Sequence, residues 1–193
     1  MKASTCEVAQ GLRYLVRFPN REVRASLTEA LLFACSPDPG QVVTQTGRLP
    51  DLLAAADFSG IKTLFTSHSA SIPHDWFRHN KIARAEGYYA SVFYTFFASF
   101  GLDTIPEDTS SNGRLDMAVR LPDAVWLFEF KMVDDEPDGS ALQQVKDRGY
   151  ADKYRADNVP IHLVGIEFSR NQRTIVSFDT QTISASPNRQ REP

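Results

Sequence analysis

The segment Val125-Trp-Leu-Phe-Glu-Phe-Lys-Met132 constrains this chain more than any other. Side chains of a strand alternate between two faces, so Trp126, Phe128, Phe130 and Met132 share one side, and Val125, Leu127, Glu129 and Lys131 share the other. The first side is wholly apolar. The second begins apolar and ends in a carboxylate and an ammonium. A strand apolar on both sides belongs inside a sheet that helices cover on both faces. Two charges at the end of such a strand are costly unless a partner, a metal ion or water receives them. The segment therefore predicts an α/β architecture and marks Glu129 and Lys131 as candidate functional residues.

The residues before it, Arg114–Leu121, read as a second strand, joined to the first through Pro122-Asp123-Ala124 as a hairpin. A two-residue connection pairs Leu121 with Ala124 and sets Asp116 opposite Glu129 on the same face. A three-residue loop shifts the register unless a bulge restores it. In the two-residue register, two carboxylates and one ammonium converge. Adjacent carboxylates repel, which favours uptake of a proton or a cation. Carboxylate oxygens suit Mg²⁺ or Mn²⁺, and Lys131 can hold a water or a phosphate beside the ion. Such a set suits phosphodiester hydrolysis, because a metal acidifies its bound water and neutralises charge developing on phosphate oxygens. The competing reading is a structural salt bridge from Lys131 to Asp116 or Glu129, and for an isolated E-x-K that is the commoner case.

The rest of the chain supplies the frame. Residues 1–10 read as a frayed end and Tyr14–Phe18 as a short strand. Asn20 suits the N-cap of a helix over Arg21–Ala34 with Val23, Leu27, Leu31 and Ala34 on one face. Two short helices are predicted over 50–56 and 59–69, and Ile72-Pro73 marks a boundary. A long helix, Arg78–Phe100, carries Tyr89, Val92, Phe93, Phe96, Phe97 and Phe100 at spacings of three and four, with Gly101 as its terminator. A strand near Asp103–Glu107 is bent or at an edge because of Pro106. After the acidic loop Asp134–Gly139, Ser140 and Gln143 form a capping box for a helix reaching about Arg155. Val159–Phe168 and Thr174–Asp179 are the last strands. The expected division is a helical N-terminal region over 11–75, a main domain over 76–183 and a disordered tail over 184–193.

Two helix residues bear on the same site. Glu86 lies in line with the core-facing stripe of the long helix, although a surface acid near Arg78 or Arg84 fits the spacing equally. Gln144 sits in the first turns of the helix after the E-x-K strand, where a helix N-terminus favours a nearby phosphate. Alone it reads as an exposed polar residue.

Charge and composition narrow the function. A formal net charge of −3 and a pI of about 5.8 argue against coating nucleic acid by bulk charge, while allowing a local basic groove. Lys146, Arg148, Lys153, Arg155, Arg170 and Arg173 could line a phosphate track, but Asp147, Asp152 and Asp157 lie among them, as on an ordinary solvated face. Cys6 and Cys35 stand in no metal-ligand spacing, and a reducing, cytoplasmic compartment is expected. The most apolar stretch, Tyr88–Phe100, is too short to span a bilayer, and MKASTCEVAQ lacks the apolar run of a secretion signal. His68, His74, His79 and His162 belong to no nucleophile motif, and G-x-S-x-G is absent.

Taken together, these residues resemble the PD-(D/E)XK nuclease superfamily, and more narrowly the domain found at the C-terminus of bacterial AAA-ATPase-like proteins. The matching runs are Arg17-Phe-Pro-Asn-Arg-Glu-Val23, Glu86-Gly-Tyr-Tyr-Ala-Ser-Val-Phe-Tyr94, Gly113-Arg-Leu-Asp-Met117, Phe128-Glu-Phe-Lys131, Ala141-Leu-Gln-Gln-Val-Lys-Asp-Arg-Gly-Tyr-Ala-Asp-Lys-Tyr154 and Val164-Gly-Ile-Glu-Phe168. The resemblance implies a restriction-endonuclease-like mixed central sheet with an α-β-β-β-α-β core. It implies Asp116 and Glu129 as metal ligands for Mg²⁺ or Mn²⁺, Lys131 as the residue activating or orienting water, and Glu86 as the helix-borne acid. It sets Gln144 and Tyr150 beside the site. Where relatives with a RecB-like arrangement have a Gln and a Tyr one helical turn apart, the residue four after Gln144 is Arg148, and Tyr150 lies six after it.

No G-x-x-x-x-G-K-[ST] loop occurs, so this chain is not itself the NTPase. It is expected to be a fragment, a truncated product or a stand-alone version, with 11–75 resembling the piece between ATPase and nuclease. The leading reading is a Mg²⁺-dependent nuclease, acting on DNA. The alternatives are a non-catalytic nuclease-fold module that binds nucleic acid or a partner ATPase, and a structural domain whose charges are salt bridges.

Overall fold

The structure, a computed structural model, describes residues 2–8, 11–17, 20, 22–23, 26–27, 30, 48–70 and 86–185. Within the segment 1–10, expected to be frayed, residues 2–8 form a strand. β1 (Lys2–Val8) pairs antiparallel with β2 (Gly11–Arg17), in register from Lys2↔Arg17 to Val8↔Gly11. Neither segment is strongly patterned alone; the backbone groups of each are satisfied by the other. Asn20 caps as anticipated: the Val23 N–H donates to its Oδ1 at 2.8 Å. Val23 and Leu27, expected to share one face of a helix, are 44% and 48% exposed. Leu31 and Ala34 lie outside the described residues, as does the segment 78–85 of the long helix.

Three helices follow: α1 (Leu49–Ala54), α2 (Phe58–Ala70) and α3 (Glu86–Ser99). Gly101, at φ +66°, ends α3 in the left-handed conformation that glycine adopts without cost, and its N–H returns to the Ala98 carbonyl at 3.1 Å. The main sheet contains β3 (Asp103–Ser110), β4 (Gly113–Arg120), β5 (Val125–Val133), β6 (Ile161–Ser169) and β7 (Ile175–Ile183), side by side in that order. β5 and β6 are parallel and the other neighbours antiparallel. β3 is an edge strand, where the missing N–H of Pro106 costs least.

Both faces of this sheet are covered. On one, Phe65 of α2 and Phe93, Phe96 and Phe97 of α3 interlock with Trp126, Phe128 and Phe130 of β5. On the other, α4 (Ser140–Asp147) and a 3-10 helix (Tyr150–Asp157) lie over Val125 and Leu127 of β5 and Ile161 and Leu163 of β6. β5 is thus buried on both sides from Val125 to Phe130, the environment its composition called for.

The expected helix from Ser140 to about Arg155 is two helices. α4 stops at Asp147, and Gly149, at φ +59°, turns the chain before the 3-10 helix. Tyr150, Ala151 and Tyr154 can then bury themselves beneath it. The Tyr154 hydroxyl donates to Asp108 Oδ2 at 2.6 Å, and Lys153 pairs with the other oxygen of the same buried carboxylate. Burial, then the hydrogen bond and charge of Asp108, push the Tyr154 phenol above its ordinary range. This clamp ties the 3-10 helix to β3.

The start of α4 also differs from expectation. Gly139, not Ser140, is its N-cap, and no cap side chain bonds to the helix. The open N–H groups are met from across the fold by Glu167 of β6, which is wholly buried. Its Oε2 accepts from the N–H groups of Asp138 at 2.9 Å and Gly139 at 3.2 Å. Its Oε1 accepts from Ala141 N–H at 3.1 Å and the Ser140 hydroxyl at 3.5 Å. A carboxylate at a helix N-terminus gains from both hydrogen bonds and the helix dipole. Those N–H groups are therefore engaged by a carboxylate of the protein itself.

Gly165 makes the close approach possible. A Cβ there would lie 2.2 Å from the Leu142 backbone nitrogen and 2.7 Å from its Cα. Among the described residues no helix is long and apolar enough to cross a membrane.

Two stability predictions follow from this packing. Gly165→Ala must push α4 off the sheet, at a cost of about 2 kcal/mol or more; urea unfolding with a midpoint equal to wild type would contradict the close approach. His68 stacks on Phe96 with centroids 4.3 Å apart, and burial lowers its pKa from 6.5 to about 4. The folded state holds the neutral ring, so its contribution is complete above pH 6.5 and declines as pH falls toward 4. That decline is on the order of 3 kcal/mol. His68→Leu should flatten the fall in unfolding free energy across this window relative to wild type, and an unchanged slope would refute it.

Candidate active site

The hairpin β4–β5 closes through the two residues Pro122 and Asp123, with Leu121 N–H donating to the Ala124 carbonyl at 2.8 Å. Pairing runs from Arg120↔Val125 to Met117↔Phe128 and stops there. Continued by one pair, this register sets Asp116 opposite Glu129. The ladder on the other side of β4 also skips this level, passing from Pro106↔Met117 to Asp108↔Leu115. Glu107, at the skipped position of β3, has φ +50°, an uncommon conformation for a side chain of its type. Leu115 and Ala118 both pack in the core beneath α4 and the 3-10 helix, although a regular strand would turn them to opposite faces. β4 is therefore irregular at Asp116, and strand irregularities of this kind re-aim side chains.

Side chains take over the hydrogen bonds that the strands no longer make to each other. Asp116 Oδ2 accepts from the Phe130 N–H at 2.8 Å. Glu129 Oε2 accepts from the Asp116 N–H at 3.4 Å. The two carboxylates are thus laced to each other's strands, and each is oriented by backbone. The Gln144 amide of α4 donates to Glu129 Oε1. Glu129 is 2% exposed, while Asp116, Lys131 and Gln144 are half-buried at the rim. Lys131, two residues beyond Glu129, lies on the same face of β5.

The structure brings Asp116, Glu129 and Gln144 into hydrogen-bonded contact, with Lys131 next on the shared face. Glu86 begins α3, but its side chain lies outside the described residues. Tyr150 reaches the site although it is six residues after Gln144, because the turn at Gly149 swings it back. Its hydroxyl donates to the Arg114 carbonyl at 2.8 Å. Burial and then the Glu129 charge raise its pKa, with Arg148 opposing, so the phenol stays protonated as a donor.

Two residues that set the site were missed from sequence. Gly165 and Glu167 belong to the run Val164-Gly-Ile-Glu-Phe168, whose residues had no assigned role. A glycine and a carboxylate following Ile161 and Leu163 on one face of β6 were the available signal.

The donor set is oxygen alone, from Asp116 and Glu129. It fits a hard divalent cation such as Mg²⁺ or Mn²⁺ better than zinc, which favours nitrogen and sulfur. Among the described residues, no group of three or more His, Cys, Asp or Glu side chains is placed to hold a metal ion. Carboxylates serving function rather than folding should contribute little to stability. Asp116→Asn, which keeps an acceptor for Phe130 N–H, should leave the unfolding free energy within about 1 kcal/mol of wild type; a loss several-fold larger in denaturant titration would assign Asp116 a structural role.

Comparison with known proteins agrees with this architecture. Residues 84–178 match the model of the PD-(D/E)XK nuclease superfamily. That span contains Asp116, Glu129, Lys131, Gln144, Tyr150 and Glu167. A protein of Azotobacter chroococcum mcd 1, named "Uncharacterized protein in vnfD 5'region", is 59% identical over 171 residues, covering 89% of this chain. The chain spans about a third of that relative's length, 33%. With its mixed five-strand sheet between helical layers, the restriction-endonuclease-like α/β arrangement, the segment 84–178 of this chain belongs to the PD-(D/E)XK nuclease superfamily.

Proposed function

We propose that this chain hydrolyses phosphodiester bonds of nucleic acid, with DNA as the substrate, using Mg²⁺ or Mn²⁺ held by Asp116 and Glu129. The observation that carries the reading is the mutual lacing of these two carboxylates where β4 and β5 part, with Lys131 on the same face. A bound divalent ion would acidify a coordinated water and neutralise charge on the phosphate oxygens.

The chain's own residues do the rest. Backbone N–H groups fix Asp116 and Glu129, so little reorganisation is needed to present their oxygens. Gln144 holds Glu129 from above. Lys131 supplies a cation beside the carboxylates, which attracts the phosphate and orients the attacking water. The buried body of β5 keeps solvent from one side of the site. Glu86 is included as the helix-borne acid of the resemblance, and Tyr150 as a donor at the margin.

In the longer relative, the remaining two thirds have room for another module, and an AAA-like ATPase is the partner we propose for this chain. A second reading is a non-catalytic nuclease-fold module that binds nucleic acid or such an ATPase. It is favoured by the hydrogen bonds that Asp116 and Glu129 already make to the Phe130 and Asp116 N–H groups and the Gln144 amide, which satisfy the two carboxylates from within the protein. A cytoplasmic setting suits both.

The test is incubation with plasmid and with single-stranded DNA in Mg²⁺ or Mn²⁺, beside a chelator control. Cleavage should require the metal and fall by about 100-fold or more in Lys131→Ala and Asp116→Asn. Metal binding without cleavage of either DNA would select the second reading. Cleavage that persists in chelator or in Lys131→Ala would refute the proposed site.

A further inference from the structure

A buried carboxylate outside the proposed ligand set controls how the site is assembled. Glu167 lies on β6 in register with Lys131 of β5, on the face that α4 covers. Its two oxygens take three backbone N–H groups and the Ser140 hydroxyl at the start of α4, and none of its surface reaches solvent. The same short helix carries Gln144, whose amide holds Glu129. α4 has eight residues and is anchored by two devices, the carboxylate at its beginning and the backbone contact over Gly165. Its only other buried side chains are Ala141 and Val145. A helix this short has little intrinsic stability, so its position depends on these contacts.

We propose that Glu167 is the positioning residue of the site: by gripping the N-terminus of α4 it sets the height and rotation at which Gln144 meets Glu129. Its action on the proposed metal ligand passes through Gln144. Loss of its charge weakens three charge-assisted hydrogen bonds at once. α4 then rides up or rotates, Gln144 leaves Glu129, and a ligating carboxylate loses its orienting partner. Outer partners of metal ligands commonly matter ten-fold or more for affinity. The positioning claim is independent of catalysis. Its consequence for metal rests on the proposed function.

The experiment has two arms. The Gln144 side-chain amide is assigned by NMR, using Gln144→Ala to identify its signals. In Glu167→Gln those signals should move to the position of a solvated amide while the spectrum elsewhere keeps its native dispersion. Should Glu167→Gln fail to fold, Glu167→Asp, which keeps the charge but withdraws the oxygens, is read in the same way. Unchanged Gln144 signals in the folded variant would overturn the proposal. In the second arm, Mn²⁺ binding is titrated calorimetrically in wild type, Glu167→Gln, Gln144→Ala and the double variant. Affinity should fall about ten-fold in Glu167→Gln and no further when combined with Gln144→Ala. Independent, additive losses would show that Glu167 does not act through Gln144. Wild type that binds no Mn²⁺ would sink the metal reading alone, leaving positioning to be decided by the NMR arm.

Discussion

Burial of β5 on both faces is the constraint from which the rest follows. A strand in that position must pair on both edges and be apolar throughout, or bring its own partners for every charge. This one is apolar for four residues and then carries Glu129 and Lys131. The chain resolves the conflict by ending the β4 ladder at the level where the charges begin. The freed backbone groups of Asp116 and Phe130 then bond to carboxylates instead of to a neighbouring strand. The acidic pair is thus a consequence of sheet geometry, and its orientation is supplied by peptide groups that cannot rotate away.

The opposite helical layer is held by a different logic. Aromatic packing by α2 and α3 supplies the bulk of the core on one side. On the other, α4 and the 3-10 helix are short, and specific polar contacts fix them: Glu167 at the start of α4, Asp108 with Tyr154 and Lys153 farther on. Hydrophobic burial is non-directional and cannot by itself fix a helix to within an ångström. Buried charge-assisted hydrogen bonds can, and they cost little when every oxygen is satisfied. Gln144 and Tyr150 inherit their positions from these anchors.

Much of this was legible in the sequence, for stated physical reasons. The double-sided apolar run predicted a covered central strand, Pro106 a bent or edge strand and Gly101 a helix end, while the connection Pro122-Asp123-Ala124 left two registers open, of which the structure adopts the one that sets Asp116 level with Glu129. What was not legible depended on contacts distant along the chain. The strand Lys2–Val8 is defined by its partner Gly11–Arg17. The local capping box at Ser140 lost to Glu167, 27 residues away, because a buried carboxylate binds several N–H groups where a hydroxyl binds one. The break at Gly149 was hidden by helical spacing on both sides, and only the reach of Tyr150 and Tyr154 into the core explains it. The family match over 84–178 agrees with the part of the chain whose pattern was clearest.

In the proposed site, Asp116 and Glu129, from two parting strands, jointly face one small cation. Crystals grown with Mn²⁺ and measured near its absorption edge address it directly. The expected result is an anomalous peak about 2.2 Å from oxygens of both carboxylates, with Lys131 beside it. A map with no such peak at saturating Mn²⁺, or with the Asp116 side chain turned to the α2–α3 face of the sheet, would contradict a shared cation.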